Sequence, residues 1–315
     1  MKNPSTAIFM SRPRARGKHK MKIGYPCLNR SLGCTSSRTF RLRSYSPERL
    51  IETVRQNLLC LGRVLEFNRA NGLLFFRVTS DLVPFASHPV CTVPWPQVFA
   101  AEFADLGTFI KRNGIGISMH PDPFTLINSP DPDIFRRSAA ELEYHARVLE
   151  LLGLDRSAKI QIHVGGVYND KPASLDRFCR RFEQLDRRIR RRLVVENDDR
   201  QYSLADCLQI SRRTGIPVLF DSFHHQLNND GQGLSTAISL AAASWGKNDG
   251  LPMVDYSSQK KGARPGSHAE SIDLKHFSRF LKAVGGLDID IMLEIKDKEK
   301  SALRARHFLV TKKMI

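Results

Sequence analysis

Residues 193–197 read Leu-Val-Val-Glu-Asn, three apolar residues that end on a carboxylate and an amide. Similar short apolar runs recur along the chain and alternate with amphipathic segments at helical spacing, which indicates repeated βα units and a parallel sheet. The strand candidates are residues 22–25, 73–79, 115–120, 159–164, 193–197, 218–221, 253–257 and 290–296. Eight such units over roughly 250 residues predict a TIM-type (β/α)8 barrel.

Helix start and stop signals lie between these strands. Ser46-Pro47 opens an apolar stripe that ends at Asn71-Gly72, and Asp131-Pro132 opens another. The sequence contains no internal repeat and no long linker. We therefore expect a single α/β barrel domain over residues 21–305, with a basic, disordered arm at residues 1–20 and a C-terminal tail at residues 306–315.

The overall charge of the chain indicates a polyanionic partner. Its 49 Lys and Arg residues outnumber 32 Asp and Glu residues, which gives a net charge of +17. A field of this sign attracts a nucleic-acid backbone, although an arginine-rich composition without such a partner stays an alternative. No stretch approaches the ~18 consecutive apolar residues of a membrane span. The six cysteines show no framework spacing, so we expect reduced thiols, no disulfide and a cytoplasmic, nucleoid-associated protein.

The residues that end the predicted strands indicate a metal centre. They are Tyr25, Thr79, His120, His163, Glu196, Asp221, Asp255 and Glu294. Active sites of TIM barrels lie at these carboxyl ends, and an unpaired buried charge there would cost several kcal/mol. Each residue alone has a structural explanation, but around one rim the set predicts a metal or catalytic cluster. Mixed imidazole and carboxylate ligands suit Zn²⁺, Mn²⁺ or Fe²⁺ better than Ca²⁺ or Mg²⁺.

Two loop motifs add imidazoles to this rim. Asp221-Ser-Phe-His224-His225 places a carboxylate at a strand end and an imidazole three residues later, so both can face one ion or two neighbouring ions. Arg264-Pro-Gly-Ser-His268 is a turn-rich loop after the seventh strand, from which His268 can reach the rim. Lys296 lies two residues beyond Glu294 and is either a phosphate-neutralising group on the same strand face or an exposed surface lysine.

Taken together, these motifs resemble the UV damage endonuclease family, whose metal-dependent barrels are related to endonuclease IV. The resemblance extends from residue 21 to about residue 305. Its carriers are Gly24-Tyr-Pro-Cys27 with Asn29, Phe75-Phe-Arg77, Leu82-Val-Pro-Phe-Ala-Ser-His-Pro89, Ser118-Met-His-Pro121, His163-Val-Gly-Gly166, Val195-Glu-Asn-Asp198, Asp221-Ser-Phe-His-His225, Tyr256-Ser-Ser-Gln259, Arg264-Pro-Gly-Ser-His268 and Leu293-Glu-Ile-Lys296.

The resemblance implies a monomer that binds double-stranded, UV-damaged DNA. It also implies a cofactor of two or three divalent ions, commonly Mn²⁺. It implies the ligands His120, His163, Glu196 (bridging), Asp221, His224, Asp255, His268 and Glu294. Glu196, Lys296 and His88 would be catalytic, with His88 near the phosphate as a ligand or a partner of one. Tyr25 and Asn29 would belong to a DNA-facing loop. The reaction implied is a nick immediately 5′ to cyclobutane dimers and 6-4 photoproducts, leaving a 3′-hydroxyl and a 5′-phosphate.

Four positions depart from the family pattern. Pro123 and Phe124 replace a Gln-Tyr pair that probes the lesion in some members, so Phe124 can stack while Pro123 lacks a side-chain amide. Met253 replaces a modifiable lysine, and Asp255 replaces a histidine. The alternatives are an abasic-site endonuclease of the endonuclease IV type, a sugar isomerase of the xylose isomerase type, and a damage-binding protein without catalysis. The positive charge argues against the isomerase, and the full ligand set argues against a binding-only protein.

Overall fold

Eight parallel strands form a closed barrel in the computed structural model, which describes residues 21–315. They are β1 Met21–Pro26, β2 Phe75–Val78, β3 Gly116–Met119, β4 Lys159–His163, β5 Leu193–Glu196, β6 Val218–Asp221, β7 Met253–Tyr256 and β8 Ile289–Leu293. The strands pair in sequence order, and β8 closes the barrel by pairing with β1. The predicted TIM barrel is confirmed, and every predicted strand overlaps an observed one.

Helices connect the strands within the described part of the chain. They are α1 Pro47–Ala70, α2 Trp95–Val98, α3 Ala100–Arg112, α4 Pro132–Leu151, α5 Lys171–Gln184, α6 Arg187–Arg190, α7 Leu204–Thr214, α8 Ser222–Leu227, α9 Leu234–Ala242, α10 Leu274–Val284 and α11 Glu299–Thr311. Ser46 and Asp131 cap α1 and α4 by accepting backbone N–H groups. Helix α11 continues through the residues expected to form a tail, because Leu309 is buried against the barrel. The expected arm at residues 1–20 lies outside the described residues.

The inside of the barrel is layered, because alternate residues of each strand point inward. One layer, the apolar floor, consists of Phe75, Val194, Leu219, Met253 and Met292. Two residues further along the same strands stand Arg77, Glu196, Asp221, Asp255 and Glu294. The floor therefore lies directly beneath the polar strand ends. Met253 is part of this floor and is 4% exposed.

A glycine allows the wall of the barrel to close around the floor. Gly24 of β1 is paired with Phe75 of β2. A Cβ atom on Gly24 would lie 2.2 Å from the carbonyl oxygen of Phe75 and 2.9 Å from its Cβ. No real Cβ contact is that short, so the approach of these two strands requires glycine at residue 24.

Two features of the side chains outside the barrel concern a disulfide and a basic run. Cys34 and Cys60 form a disulfide between the β1–α1 loop and α1, with Cα atoms 5.9 Å apart. The expectation of reduced thiols is therefore wrong for this pair, because the loop folds back onto the helix that follows it. The basic run at residues 187–192 lies before β5, and Arg188 is paired there with Glu143 at 3.0 Å. None of the helices in residues 21–315 is long and apolar enough to cross a membrane.

Candidate metal centre

Side chains at the carboxyl ends of the strands form three overlapping groups in the described part of the chain. The outer group is His120, His163 and Glu196; the middle group is Glu196, Asp221 and His224; the inner group is Asp221, Asp255 and Glu294. Within each group the candidate ligand atoms all lie within 4.8 Å of one another. Glu196 is shared by the outer and middle groups, and Asp221 by the middle and inner groups. Seven of the eight residues expected to be ligands are thus brought together.

Glu196 is surrounded by imidazoles and is only 1% exposed. Its Oε2 atom lies 3.3 Å from Nε2 of His120 and 3.6 Å from Nε2 of His163, while Oε1 lies 3.3 Å from Nδ1 of His224. Burial alone would raise the pKa of Glu196, but the charges of His163 and His120 hold that pKa well below its usual range. An ionised carboxylate that faces two groups from its two oxygens has the geometry of a bridging ligand.

Hydrogen bonds fix the orientation of two histidines at the rim. Nδ1 of His120 lies 2.8 Å from the carbonyl oxygen of Pro121, which accepts its proton and leaves Nε2 free to ligate. His268 is oriented in the same way by the carbonyl oxygen of Glu294, at 2.8 Å from Nδ1. The structure places His268 beside Glu294, on the loop after β7, but outside the three groups. Its ring nitrogen Nε2 is therefore the ligand atom that this orientation makes available.

The carboxylates of the centre carry more negative charge than the protein around them compensates. Burial, followed by the charges of Glu196 and Glu294, raises the pKa of Asp221 to about 7, although His224 opposes the shift. Burial would lower the pKa of His224, but Asp221 and Glu196 raise it to about 11. Burial also raises the pKa of Asp255 well above its usual value. A cation between these groups would relieve the repulsion among them.

Unpartnered atoms show that the residues present fit such a cation. Oδ2 of Asp221 and Oδ1 of Asp255 are buried and have no hydrogen-bond partner among the described residues, and neither does Nδ1 of His163. A buried carboxylate oxygen without a partner is costly, and an ion is one of the few groups that satisfies it. The donors are oxygens and imidazole nitrogens, the set that Mn²⁺, Zn²⁺ and Fe²⁺ share.

Two residues of this centre were not predicted from the sequence. Arg77 of β2 is 3% exposed and its guanidinium contacts Asp255 at 2.7 Å, Gln161 at 2.7 Å and Glu294. Gln161 of β4 also contacts Glu196. Burial would raise the pKa of Glu294, but Arg77 lowers it to about 2. The available signal was a charged or amide side chain inside an apolar strand, two positions before the strand end.

Tyr25 and Asn29, expected on a DNA-facing loop, are buried. Tyr25 is 0% exposed; its hydroxyl donates to Oδ1 of Asn68 at 2.6 Å and accepts from Nδ2 of Asn29 at 2.8 Å. Asn29 in turn accepts backbone N–H groups of its own loop. These bonds give both residues a structural role in fixing the β1–α1 loop. In this position neither side chain offers a surface to DNA.

Lys296 and His88 also lie outside the three groups. Lys296 is exposed, and its Nζ lies 3.3 Å from Oε1 of Glu270. Lys298, which was not predicted, interacts electrostatically with Glu294 of the centre. Burial lowers the pKa of Lys298, and the charges of Cys27 and Glu294 oppose that shift. His88 is exposed, and its Nδ1 accepts the backbone N–H of Val90 at 3.1 Å.

A cleft of about 250 Å³ opens over the outer group. Its lining comprises His120, Pro121, Asp122, Pro123, Thr125, Leu126, Ile162, His163, Gly165, Asp198, Asp199 and His224. Pro123 is thus part of the cleft wall. Phe124, the next residue, is 84% exposed. The β3–α4 loop therefore presents an uncovered aromatic ring beside the candidate metal centre.

Comparisons with known proteins match this arrangement to one family. The family model described as UV-endonuclease UvdE matches residues 21–313. A UV DNA damage endonuclease of Clostridium perfringens (strain 13 / Type A) is 38% identical over 286 residues, which cover 90% of this chain and 69% of that protein. The crystal structure of SacUVDE is 45% identical, with a TM-score of 0.90 over 94% of this chain and 100% of that chain. Endonuclease IV from Thermus thermophilus shares the fold, at 17% identity and a TM-score of 0.57 over 80% of this chain and 94% of that chain.

Proposed function

The chain belongs to the UvdE family of UV-endonucleases, and on this basis we propose that it nicks DNA immediately 5′ to UV photoproducts. The substrates are cyclobutane dimers and 6-4 photoproducts in double-stranded DNA, and the products carry a 3′-hydroxyl and a 5′-phosphate. The protein acts as a monomer in the cytoplasm, at the nucleoid. The observation that carries the proposal is the set of three overlapping ligand groups at the mouth of the barrel.

Mn²⁺ is the proposed metal, and the three groups would hold two or three ions, with His268 as a further ligand. Divalent ions in such a centre supply a nucleophile at neutral pH and stabilise negative charge on the phosphate oxygens. The protein's own residues provide the conditions for this chemistry. Glu196 stays ionised in a buried position between two groups, and His120 and His268 present Nε2 because backbone carbonyls hold their Nδ1 protons.

Recognition of the lesion rests on stacking in this proposal. Phe124 is 84% exposed beside the cleft, and an aromatic ring that water surrounds in the free protein gains by stacking on a base. Pro123 has no side-chain donor, so it can shape the cleft wall but cannot form a side-chain hydrogen bond to the damaged bases. We infer that this chain detects the distorted duplex by inserting the ring of Phe124 and through the shape of the cleft, rather than by a hydrogen bond from a side-chain amide.

Nicking of irradiated DNA tests the function. Purified protein with Mn²⁺ should cut a UV-irradiated duplex and leave the unirradiated control intact. An oligonucleotide with one abasic site and no photoproduct separates this activity from that of an abasic-site endonuclease. Equal cutting of irradiated and unirradiated duplex, or of neither, contradicts the proposal.

A pair of variants connects that activity to the metal centre. Glu196→Gln keeps the shape of the side chain and removes the charge that two groups share, so it should abolish nicking while DNA binding remains. Asp176→Asn is the matched control, because it removes one carboxylate charge at the surface, where Asp176 pairs with Arg213, and it should leave nicking unchanged. Wild-type nicking by Glu196→Gln would remove this residue from the chemistry.

A further inference from the structure

We propose that Arg77 and Gln161 are positioning residues that preassemble the inner group so that it binds its own divalent ion. The inference rests on the proposed function, since it concerns the same metal centre. It assigns a positioning role to two side chains that are not themselves metal ligands. It predicts that the number of ions bound depends on a guanidinium in the barrel.

The first argument is how Arg77 divides the oxygens of the inner group. Its Nη2 donates to Oδ2 of Asp255 at 2.7 Å, and its Nη1 donates to Oε1 of Glu294. The other oxygen of Asp255, Oδ1, is buried without a hydrogen-bond partner in the described part of the chain, and so is Oδ2 of Asp221. Arg77 therefore holds two carboxylates by one oxygen each, and it leaves Oδ1 of Asp255 without a hydrogen bond in a group whose candidate ligand atoms lie within 4.8 Å of one another.

The second argument is charge. Three carboxylates within 4.8 Å of one another carry −3 when ionised, and Arg77 adds +1, which leaves −2 for one divalent ion to neutralise. Without the guanidinium, three like charges would repel in a buried site. A guanidinium stays protonated at any pH that the fold tolerates, so this compensation is permanent.

Gln161 connects the inner group to the middle one. Its Oε1 accepts from Nη2 of Arg77 at 2.7 Å, which fixes the orientation of the amide. Its Nε2 can then donate to Oδ2 of Asp255 at 2.7 Å and to Oε2 of Glu196. One side chain thus sets the position of a carboxylate in each of two neighbouring groups. Outer partners of this kind commonly affect metal affinity by about 10–100-fold.

Metal stoichiometry tests the proposal without relying on catalysis. Wild-type protein and Arg77→Met are loaded with Mn²⁺ and dialysed, and bound ions per chain are counted by plasma emission spectrometry. Titration calorimetry with Mn²⁺ alone gives the affinities. We expect Arg77→Met to lose one ion per chain, or to bind one ion about 10–100-fold more weakly. Arg77→Lys, which keeps the charge without the fork, should show a smaller loss in the same site.

Lys159→Met is the matched control. Lys159 is another buried cation inside the barrel, but it lies at the other end of β4 and pairs with Asp249 at 2.7 Å. Its removal should lower stability and leave the ion count unchanged. If Arg77→Met does not fold, Arg77→Lys and Gln161→Leu take its place, and an undiminished ion count and affinity in both overturns the proposal.

Two results with Arg77→Met overturn the inference. Unchanged stoichiometry and affinity would show that the inner group needs no guanidinium, and one additional ion would show that Arg77 occupies an ion's place. The outcome is separate from that of the nicking assay. If the wild-type protein fails to cut irradiated DNA but Arg77→Met binds one ion fewer than wild type, the proposed substrate is refuted and the positioning role is supported.

Discussion

Asp290 offers a test of how burial sets the electrostatics of this barrel, away from any metal ligand. It lies near the start of β8, 6% exposed, and its Oδ1 accepts the backbone N–H of Lys22 at 3.0 Å. Burial raises its pKa from 3.8 to about 6, although Lys22 opposes the shift. Asn at this position keeps an oxygen for the same hydrogen bond and has no charge to desolvate, so we predict that Asp290→Asn stabilises the protein at neutral pH.

The sign follows from proton binding in the two states. The unfolded chain releases this proton near pH 4 and the folded protein near pH 6, so the folded protein loses stability as pH rises through that window. At 1.36 kcal/mol for each unit of pKa, the full loss is about 3 kcal/mol. Removal of the carboxyl group should therefore stabilise by about 3 kcal/mol at pH 7.5 and by about 1 kcal/mol at pH 4.5.

Denaturant unfolding of metal-free protein at the two pH values measures the difference. Asp249→Asn serves as a control of opposite sign. Burial would raise the pKa of Asp249, but hydrogen bonds and charges from Lys159 and Arg156 lower it. Loss of the Asp249 charge leaves the ammonium group of Lys159 buried without this ion-pair partner, which should lower the free energy of unfolding by about 3–5 kcal/mol. The reasoning is refuted if Asp290→Asn is no more stable than wild type at pH 7.5. It is also refuted if the gain in the free energy of unfolding is not smaller at pH 4.5.

Two further predictions concern the surface and the disulfide. Phe124→Ala should leave the melting temperature unchanged, because the ring is 84% exposed, and should weaken binding of irradiated duplex about 10–100-fold through lost stacking, as measured by fluorescence anisotropy. Equal affinities for the two proteins would remove the ring from lesion recognition. Cys34→Ser should lower the free energy of unfolding by about 3 kcal/mol and leave nicking intact, since the cross-link spans 26 residues outside the metal centre. Reductant should lower the free energy of unfolding of wild type by a similar amount and leave that of the variant unchanged. Equal free energies of unfolding for wild type, reduced wild type and Cys34→Ser would contradict this prediction.

The barrel and its polar rim were predictable because each strand is a short apolar run with a ligand-type residue at its end. Arg77 and Gln161 were missed for a physical reason. Strands of a parallel barrel are buried on both faces, so the sequence does not show which alternate residues point inward. A polar residue within such a strand is assigned to the interior only once the neighbouring strands are in place.

Two other side chains lie where local patterns alone do not place them. Strand alternation would place Lys296 on the face of Glu294, but β8 ends at Leu293. Lys296 is exposed beside Glu270, in agreement with the second alternative, a surface lysine. Tyr25 is the last residue but one of β1, and its hydroxyl donates to Asn68 of α1, a contact between residues 43 positions apart. The cross-link of Cys34 to Cys60 likewise depends on how a loop folds over a helix. Local patterns do not encode such distant pairings.

The apolar floor has a kinetic consequence for the centre above it. Phe75, Leu219 and Met292 are at most 1% exposed, and they close the barrel on the side away from the rim. Ions, water and protons therefore exchange with solvent through the same mouth that a DNA duplex would cover. Loading must precede substrate binding, and an ion already in the inner group would leave no faster than the DNA does. For the proposed metal-loaded enzyme, the time spent on a lesion would be a lower limit on the time for which an ion in the inner group is retained.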